Sequence, residues 1–296
     1  MKNLQKLSFI KLGVFLSLFI FPPFLSPNIS FAQVATPSLD STQLTWAAAA
    51  SSWRTASILS AGIATGTGTN GTDDLKYSAQ DYLLAFSAWD FFVEKGVTQA
   101  ELENQTSLAK TQANEGGEGL AYRFGESFSI GARVTGQWLD GESLAPYEKG
   151  TSASFSWRFT GPFFFGAGTR KNKNNDSQLE WNDTFYGISL YDPEKYRLSY
   201  DVFSTPDAEN DTATLNGSSL ARASVEFRMG EILLGFLTEG RTYIDTTNTD
   251  STYKEASIGY APMEGVNVIL NGFTSTIGDF ELTGARLSLA YLFVGW

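Results

Sequence analysis

The residue types that most often carry out catalysis are missing from this chain. Its 296 residues include no His and no Cys, which excludes Ser–His and Cys–His nucleophiles and metal sites built from imidazole or thiolate. Carboxylates remain, and Asp201 with Glu226 is a conceivable acid–base pair. Paired acids in a polar interior are far more often salt-bridge partners. We therefore predict that the protein is not an enzyme and binds no cofactor or metal.

The remaining polar residues alternate with apolar ones, and this pattern specifies the elements that position them. Phe155 and Trp157 alternate with Ser156 and Arg158, and similar runs recur from residue 119 to residue 293. A period of two is typical of a strand with two different faces, not of a helix. The sequence therefore predicts an all-β protein.

The N-terminus has the pattern of an export signal. Lys2, Lys6 and Lys11 precede an apolar run over 12–25, and Ser30-Phe31-Ala32 is a small-x-small cleavage triplet. We predict a signal peptide at 1–32. The net charge of −11 becomes more negative when those lysines are removed, which argues against nucleic acid as a partner.

The connections between the alternating segments differ in length. Short turns lie near residues 125, 161, 193, 230 and 263, whereas longer polar loops lie at 139–150, 171–178, 204–217, 245–251 and 275–279. Short turns at one rim and long loops at the other are typical of outer-membrane barrels. We predict a transmembrane antiparallel up-and-down β-barrel of about 12 strands, with about 10–14 as alternatives. A soluble β-sandwich is the other architecture that alternates in this way.

After the signal peptide, this prediction divides the chain into two segments, and the second contains an insertion. The barrel with its insertion occupies 76–296, and residues 33–75 form a periplasmic or plug-like segment or extra strands. A short helical insertion is predicted near 98–115, because Thr98-Gln99-Ala100-Glu101 has a capping-box pattern and Gly116-Gly117 would end the helix.

The end of the chain carries the family resemblance. Tyr291-Leu292-Phe293, followed by Trp296, resembles the terminal aromatic signal of the bacterial outer-membrane β-barrel superfamily, whose members are porin-like. The resemblance implies a Gram-negative outer membrane, with its lipid and lipopolysaccharide, as the location. It also implies that periplasmic chaperones and the barrel-assembly machinery are partners, and that Tyr291, Phe293 and Trp296 form the assembly signal.

The charged residues of the strands are expected to face the lumen, because a charge facing lipid at mid-membrane costs ~2–4 kcal/mol. An arginine-lined channel for small anionic or zwitterionic solutes is the function we predict. The alternatives are a closed structural or surface-binding barrel without transport, and an autotransporter-like translocator. The predicted lumen residues are Arg133, Arg158, Arg197, Asp201, Arg222, Glu226, Arg228, Glu239, Arg241, Glu255 and Arg286.

Overall fold

The computed structural model describes residues 56–296 except 89, 126, 141–147, 193–194, 244–249, 264 and 295–296. The predicted signal peptide at 1–32 and Trp296 therefore lie outside the described residues. The strands are β1 Ala56–Thr69, β2 Asp74–Ala88, β3 Phe91–Asn104, β4 Lys110–Phe124, β5 Phe128–Asp140, β6 Glu148–Thr160, β7 Phe163–Asn174, β8 Glu180–Asp192, β9 Tyr196–Thr205, β10 Ala208–Glu209, β11 Thr214–Leu215, β12 Ser218–Met229, β13 Ile232–Tyr243, β14 Ser251–Met263, β15 Val266–Ile277 and β16 Phe280–Val294.

All strands except β10 and β11 form one closed antiparallel barrel. Each pairs with its neighbours in the chain, and β1 closes the ring on β16, from Ala56 opposite Val294 to Thr69 opposite Glu281. Strands β10 and β11 form a small separate hairpin in the connection from β9 to β12. The predicted all-β barrel is therefore confirmed.

The predicted count of about 12 strands is wrong, because fourteen strands close the ring. The two strands beyond that count are β1 and β3. Strand β1 lies within 33–75, the segment for which extra strands were one of the alternatives.

The predicted helical insertion near 98–115 is also wrong, since this region is a strand hairpin. Thr98 to Asn104 complete β3, residues 105–109 turn, and β4 begins at Lys110. Among the described residues there is no helix long and apolar enough to cross a membrane. The local capping pattern is overridden because every residue from Glu103 back to Phe91 pairs with β4, and tertiary pairing outweighs weak helix propensity.

Turns at both rims contain glycines with positive φ, and asparagine caps add to the turns of the upper rim. Turns at the lower rim, where β1 begins and β16 ends, have glycine with positive φ, as at Gly125 (φ 64°) and Gly230 (φ 62°), a conformation that costs glycine least. At the upper rim, the Asn104 side-chain oxygen accepts hydrogen bonds from the backbone N–H groups of Thr106 and Ser107. Asn174 accepts equivalent bonds from Asp176 and Ser177.

The outer surface of the barrel is a band of apolar and aromatic side chains. Outward-facing rings follow one another around the wall: Phe91 on β3 contacts Tyr122 on β4 at 4.9 Å, and Tyr122 contacts Phe124 on the same strand at 4.8 Å. Phe128 and Phe155 continue the series, with ring centroids 6.1 Å apart. Such a face suits a hydrocarbon environment, and aromatic residues near a rim are typical of membrane interfaces.

Candidate functional site: the barrel interior

The two basic residue types are sorted by face in the described strands. Residues directly opposite one another in an antiparallel pair share a face, so the pairing assigns every strand position to the interior or the exterior. Arg133, for example, is opposite the inward-facing Gly119 and Ser152, whereas Lys171 is on the exterior with Asn182. All strand arginines face inward and all strand lysines face outward.

Carboxylates balance these arginines. In the described strands the inward positions hold equal numbers of arginines and carboxylates, so the interior has no net formal charge. The arginines are Arg123, Arg133, Arg158, Arg170, Arg197, Arg222, Arg228, Arg241 and Arg286; the carboxylates are Asp81, Glu94, Glu115, Glu148, Asp183, Asp201, Glu226, Glu239 and Glu255.

The most deeply buried ion pair joins the strands on either side of β1. The Arg286 guanidinium on β16 donates a hydrogen bond to the Asp81 carboxylate on β2. The Arg286 side chain is fully buried, and the Asp81 side chain is 6% exposed. Gly62 on β1 leaves the space that Asp81 occupies, because a Cβ there would lie 2.6 Å from Asp81 Oδ2.

A second pair lies across β3 to β5. Arg133 Nη1 is 3.5 Å from Glu94 Oε1, and the Glu94 side chain is fully buried. The guanidinium lies over Gly117, where a Cβ would be 3.0 Å from Arg133 Nε. Glu94 thus has a cationic neighbour at a fully buried position.

The strands β7 and β8 hold a third pair. Arg170 Nε and Nη2 donate to Asp183 Oδ2 at 3.0 and 2.9 Å, and the Asn172 side-chain amide donates to the same oxygen at 2.5 Å. The Arg170 guanidinium also stacks over the Phe203 ring at 4.9 Å. These contacts fix the direction of the guanidinium as well as neutralising its charge.

A fourth group links β9, β12 and β13. Arg222 Nε and Nη2 donate to Glu239 Oε2 at 2.8 and 2.5 Å. Asp201 is directly opposite Arg222 in the pairing of β12 with β9 and is 1% exposed. Two inward positions lower, beyond the pair of Ser224 with Ser199, Glu226 is opposite Arg197 in the same strand pair.

An apolar cluster occupies the interior between these polar groups. The Tyr77 ring on β2 meets the Phe273 ring on β15 edge-on at 6.0 Å, and Phe273 stacks on Tyr253 of β14 at 6.1 Å. Leu237 and Leu282 are buried in the same cluster. Because β2 and β15 are separated by β1 and β16, the cluster bridges the curved wall and fills that side of the interior.

Glu255 lies at the edge of this cluster. It accepts hydrogen bonds from the Tyr253 hydroxyl and the Asn271 amide, both at 2.6 Å. Glu255 is 3% exposed.

The remaining predicted lumen residues lie nearer the rims. Arg158 and Arg228 are exposed at the lower rim, where their Nε atoms donate to the carbonyls of Gly161 and Gly230 at 2.7 and 3.4 Å. Arg241 is half-buried on β13, opposite Ser251. The structure therefore gathers the predicted residues on one face but at several heights.

Several interior residues were not singled out from the sequence. Asp81, Glu94, Arg170 and Asp183 all form the ion pairs described above. Period-two alternation assigns Arg170 and Asp183 to the inward face of their strands, so that signal was available. Asp81 and Glu94 follow only once β2 and β3 are recognised as full strands.

The predicted assembly-signal residues lie at the end of β16. Tyr291 faces outward and is 50% exposed, and the backbone of Phe293 is opposite Ser57 of β1. Trp296 is beyond the described part of the chain. The assembly role of these residues stays a prediction.

Comparison with known proteins finds the same fold in solved structures of a channel and a transporter. No family model matches the chain, and no curated protein matches it. Among solved structures, the CymD monoaromatic hydrocarbon channel superposes with a TM-score of 0.60 at 10% identity, covering 83% of this chain and 90% of CymD. The Pseudomonas putida toluene transporter TodX gives a TM-score of 0.52 at 9% identity, covering 90% and 94% of the two chains.

At these identities the similarity concerns the fold alone. The predicted closed β-barrel is thus confirmed as a fold, because the chain closes a barrel that superposes on a monoaromatic hydrocarbon channel and on a toluene transporter.

Proposed function

We propose that the protein is an outer-membrane channel through which small solutes diffuse. The fold supports this, since the similar structures named above are channels. The apolar outer band supports a membrane location, with the short turns of the lower rim in the periplasm.

We further propose that its solutes are uncharged. The observation that carries this proposal is the pairing of four interior arginines with carboxylates, as in Arg286 with Asp81 and Arg222 with Glu239. An arginine-lined wall would favour anions, but a guanidinium that already binds a carboxylate has little potential left for a passing anion. The arginines then shape the passage and do not select charge.

The apolar cluster narrows the interior on one side. Tyr77, Tyr253 and Phe273 pack against one another there and are almost completely buried, so any passage beside them admits only small solutes. TodX and CymD, which share the fold, are a toluene transporter and a monoaromatic hydrocarbon channel.

A closed barrel without transport is the second candidate. The observation that favours it is the contact of Tyr77 with Phe273 across the curvature of the wall, together with the complete burial of Arg286 and Glu94. If the packing on that side continued across the whole interior, the barrel would be a structural or surface-binding protein.

Liposome swelling separates these candidates. Purified protein in vesicles is placed in isotonic solutions of uncharged solutes of increasing size, and of anionic and cationic solutes of matched size. We expect swelling with small uncharged solutes and much slower swelling with either kind of ion. Vesicles without protein are the control.

Each alternative gives a different result in that assay. Swelling with anions faster than with matched uncharged solutes would favour the arginine-guided channel. No swelling with any solute, for protein that is shown to be folded, would favour the closed barrel.

A further inference from the structure

The outer wall of the barrel carries one ion pair within its apolar band. Lys95 on β3 and Glu118 on β4 are opposite one another in the strand pairing. Lys95 Nζ lies 2.6 Å from Glu118 Oε1, and the two side chains are 38% and 46% exposed. The positions alternate with the inward-facing Glu94 and Gly119, so both charges point away from the interior.

The height of this pair places it among lipid-facing residues. Lys95 is four residues above Phe91 at the lower end of β3, and Glu118 is six residues above Phe124 at the lower end of β4. A tilted strand rises ~2.5 Å per residue along the barrel axis. The pair therefore lies roughly 10–15 Å above the lower rim, a height at which the apolar band is uninterrupted on neighbouring strands.

The neighbouring strands β2 and β5 have apolar residues facing outward at this height. Outward positions there are Leu84 and Tyr82 on β2 and Ala132 and Val134 on β5. In the described strands, the other charged residue facing outward in the lower half is Asp192, which ends β8 at the rim itself. Lys95 and Glu118 are thus an exception to the otherwise apolar lower wall.

Polar pairs continue above them on the same two strands. The Gln112 amide donates to Glu101 at 3.0 Å, and Lys110 Nζ lies 2.8 Å from Glu101. Gln99 between them is exposed. The outer face of β3 and β4, from Lys95 and Glu118 up to Lys110, forms what we call the polar stripe.

We propose that the polar stripe is the interface with a second copy of this chain, related by a two-fold axis parallel to the barrel axis. Two copies in one membrane have the same orientation, so residues can only meet others at the same height. A two-fold axis between β3 and β4 sets β3 of each copy against β4 of the other. Lys95 of each copy then faces Glu118 of the other.

Charge complementarity favours a second copy of the chain as the partner of the polar stripe. Under the two-fold axis the four charges form a ring in which signs alternate, so each ammonium has a carboxylate on its own copy and one on the second copy. The ring is removed from lipid by the contact itself. The interface is isologous, because the same stripe is used by both copies.

The surface around the pair permits a close approach. Val97, opposite Gly116, lies directly above the pair. Because Gly116 has no side chain, nothing protrudes from the wall beside Val97. Phe91 and Tyr122 lie below, with rings in contact at 4.9 Å. A polar centre bordered by aromatic residues is common in protein interfaces.

The N-terminal segment of the same chain, residues 33–55, is less suited than a second copy to bind the polar stripe. Between residues 33 and 55 the charged residues are Asp40 and Arg54 alone. Two charges fourteen residues apart in sequence cannot reproduce the alternating set that a second copy offers at the same height.

Charge reversal in trans tests the proposal. Two differently tagged forms are co-expressed, and co-purification from outer membranes in mild detergent is measured. Wild-type copies should co-purify. Lys95→Glu alone or Glu118→Lys alone should reduce co-purification at least ~10-fold, because four like charges meet. Lys95→Glu co-expressed with Glu118→Lys should restore it.

That rescue would not occur if the pair served its own barrel only. Lys254→Glu on the outward face of β14 is the matched control and should leave co-purification unchanged. Heat-modifiable gel migration checks that each variant is folded. Failure of the wild-type copies to co-purify, absence of rescue in trans, or assembly into trimers would each overturn the two-fold interface.

A second measurement leaves the charges intact in case a reversed variant does not assemble. The chain has no native Cys, so Val97→Cys introduces a single thiol beside the axis. A short bis-maleimide should link two copies in intact outer membranes, whereas Leu270→Cys on β15 should give at least ~10-fold less linked dimer. Equal linking at the two positions would contradict the proposal.

Discussion

At the scale of single residues, the interior is stabilised by charges that have been removed from water in pairs. Arg286 is fully buried and Asp81 nearly so, and Arg222 with Glu239 is similarly enclosed. Desolvation makes such pairs weak contributors to net stability, but each partner is essential to the other, since a lone buried charge is very unfavourable.

Replacing Asp81 with Asn tests this dependence. The variant keeps the size of the side chain but leaves Arg286 without its countercharge, so we expect a loss of ~3–5 kcal/mol in the free energy of unfolding. Urea unfolding of the protein in lipid vesicles, followed by tryptophan fluorescence, measures it.

Asp192→Asn is the matched control for that substitution. Asp192 Oδ2 is 4.0 Å from Lys195 Nζ in a pair whose lysine is 71% exposed, and exposed pairs contribute ~0–1 kcal/mol. Similar losses for the two variants would show that Arg286 does not depend on Asp81.

At the scale of elements, period-two alternation predicts most strands because lipid and interior demand different side chains. It fails for β3, whose outward positions include Lys95, Gln99 and Glu101. Because these polar residues interrupt the apolar outward face that begins at Phe91, the upper part of the segment has no strand signature, and the capping pattern at Thr98 favours a helix. The prediction was wrong where the outer face departs from the requirements of lipid.

The strands also use glycine where a large inward side chain needs space from its neighbour. Asp201 on β9 lies against Gly187 on β8, where an added Cβ would be 2.0 Å from Asp201 Oδ1. Phe185 likewise occupies the space beside Gly168, whose Cβ would lie 2.5 Å from the ring. Tight interior packing between adjacent strands thus depends on paired small and large residues.

Gly187→Ala should therefore be destabilising despite the small change. The added methyl group must displace the buried Asp201 carboxylate, and overpacking of this kind costs ~1–3 kcal/mol. The same urea unfolding measurement applies.

Gly240→Ala provides the comparison, because nothing lies within 4 Å of a Cβ at that outward position of β13. Its effect should stay within ~0.5 kcal/mol. If Gly240→Ala proved as destabilising as Gly187→Ala, crowding against Asp201 would not be the cause of the loss.

At the scale of the whole molecule, the sequence predicts which residues face the interior better than it predicts which of those residues contact one another. Alternation assigns Arg222 and Arg286 to the inward face. It cannot supply their partners, because these depend on strand register: Arg286 binds Asp81, 205 positions away. An arginine-lined anion path was predicted for that reason, whereas the folded barrel sets carboxylates beside arginines.

Closure of the ring produces this balance. The closing pair of β1 with β16 brings Asp81 on β2 within reach of Arg286, across the glycine at position 62. We expect a ring of fourteen strands, intermediate between filled barrels of about 8 strands and open porins, to leave a passage beside the packed cluster of Tyr77 and Phe273. We therefore expect a narrow passage whose walls have no net charge.

Single-channel recording in a planar bilayer with a salt gradient tests this claim most directly. We predict a small conductance with a reversal potential close to zero, because the inward arginines and carboxylates of the described strands are equal in number and the buried Arg133, Arg170, Arg222 and Arg286 form ion pairs. A reversal potential close to the anion equilibrium value would show that the arginines act unpaired. A complete absence of conductance for folded protein would show that the interior is closed, and either result would contradict the account.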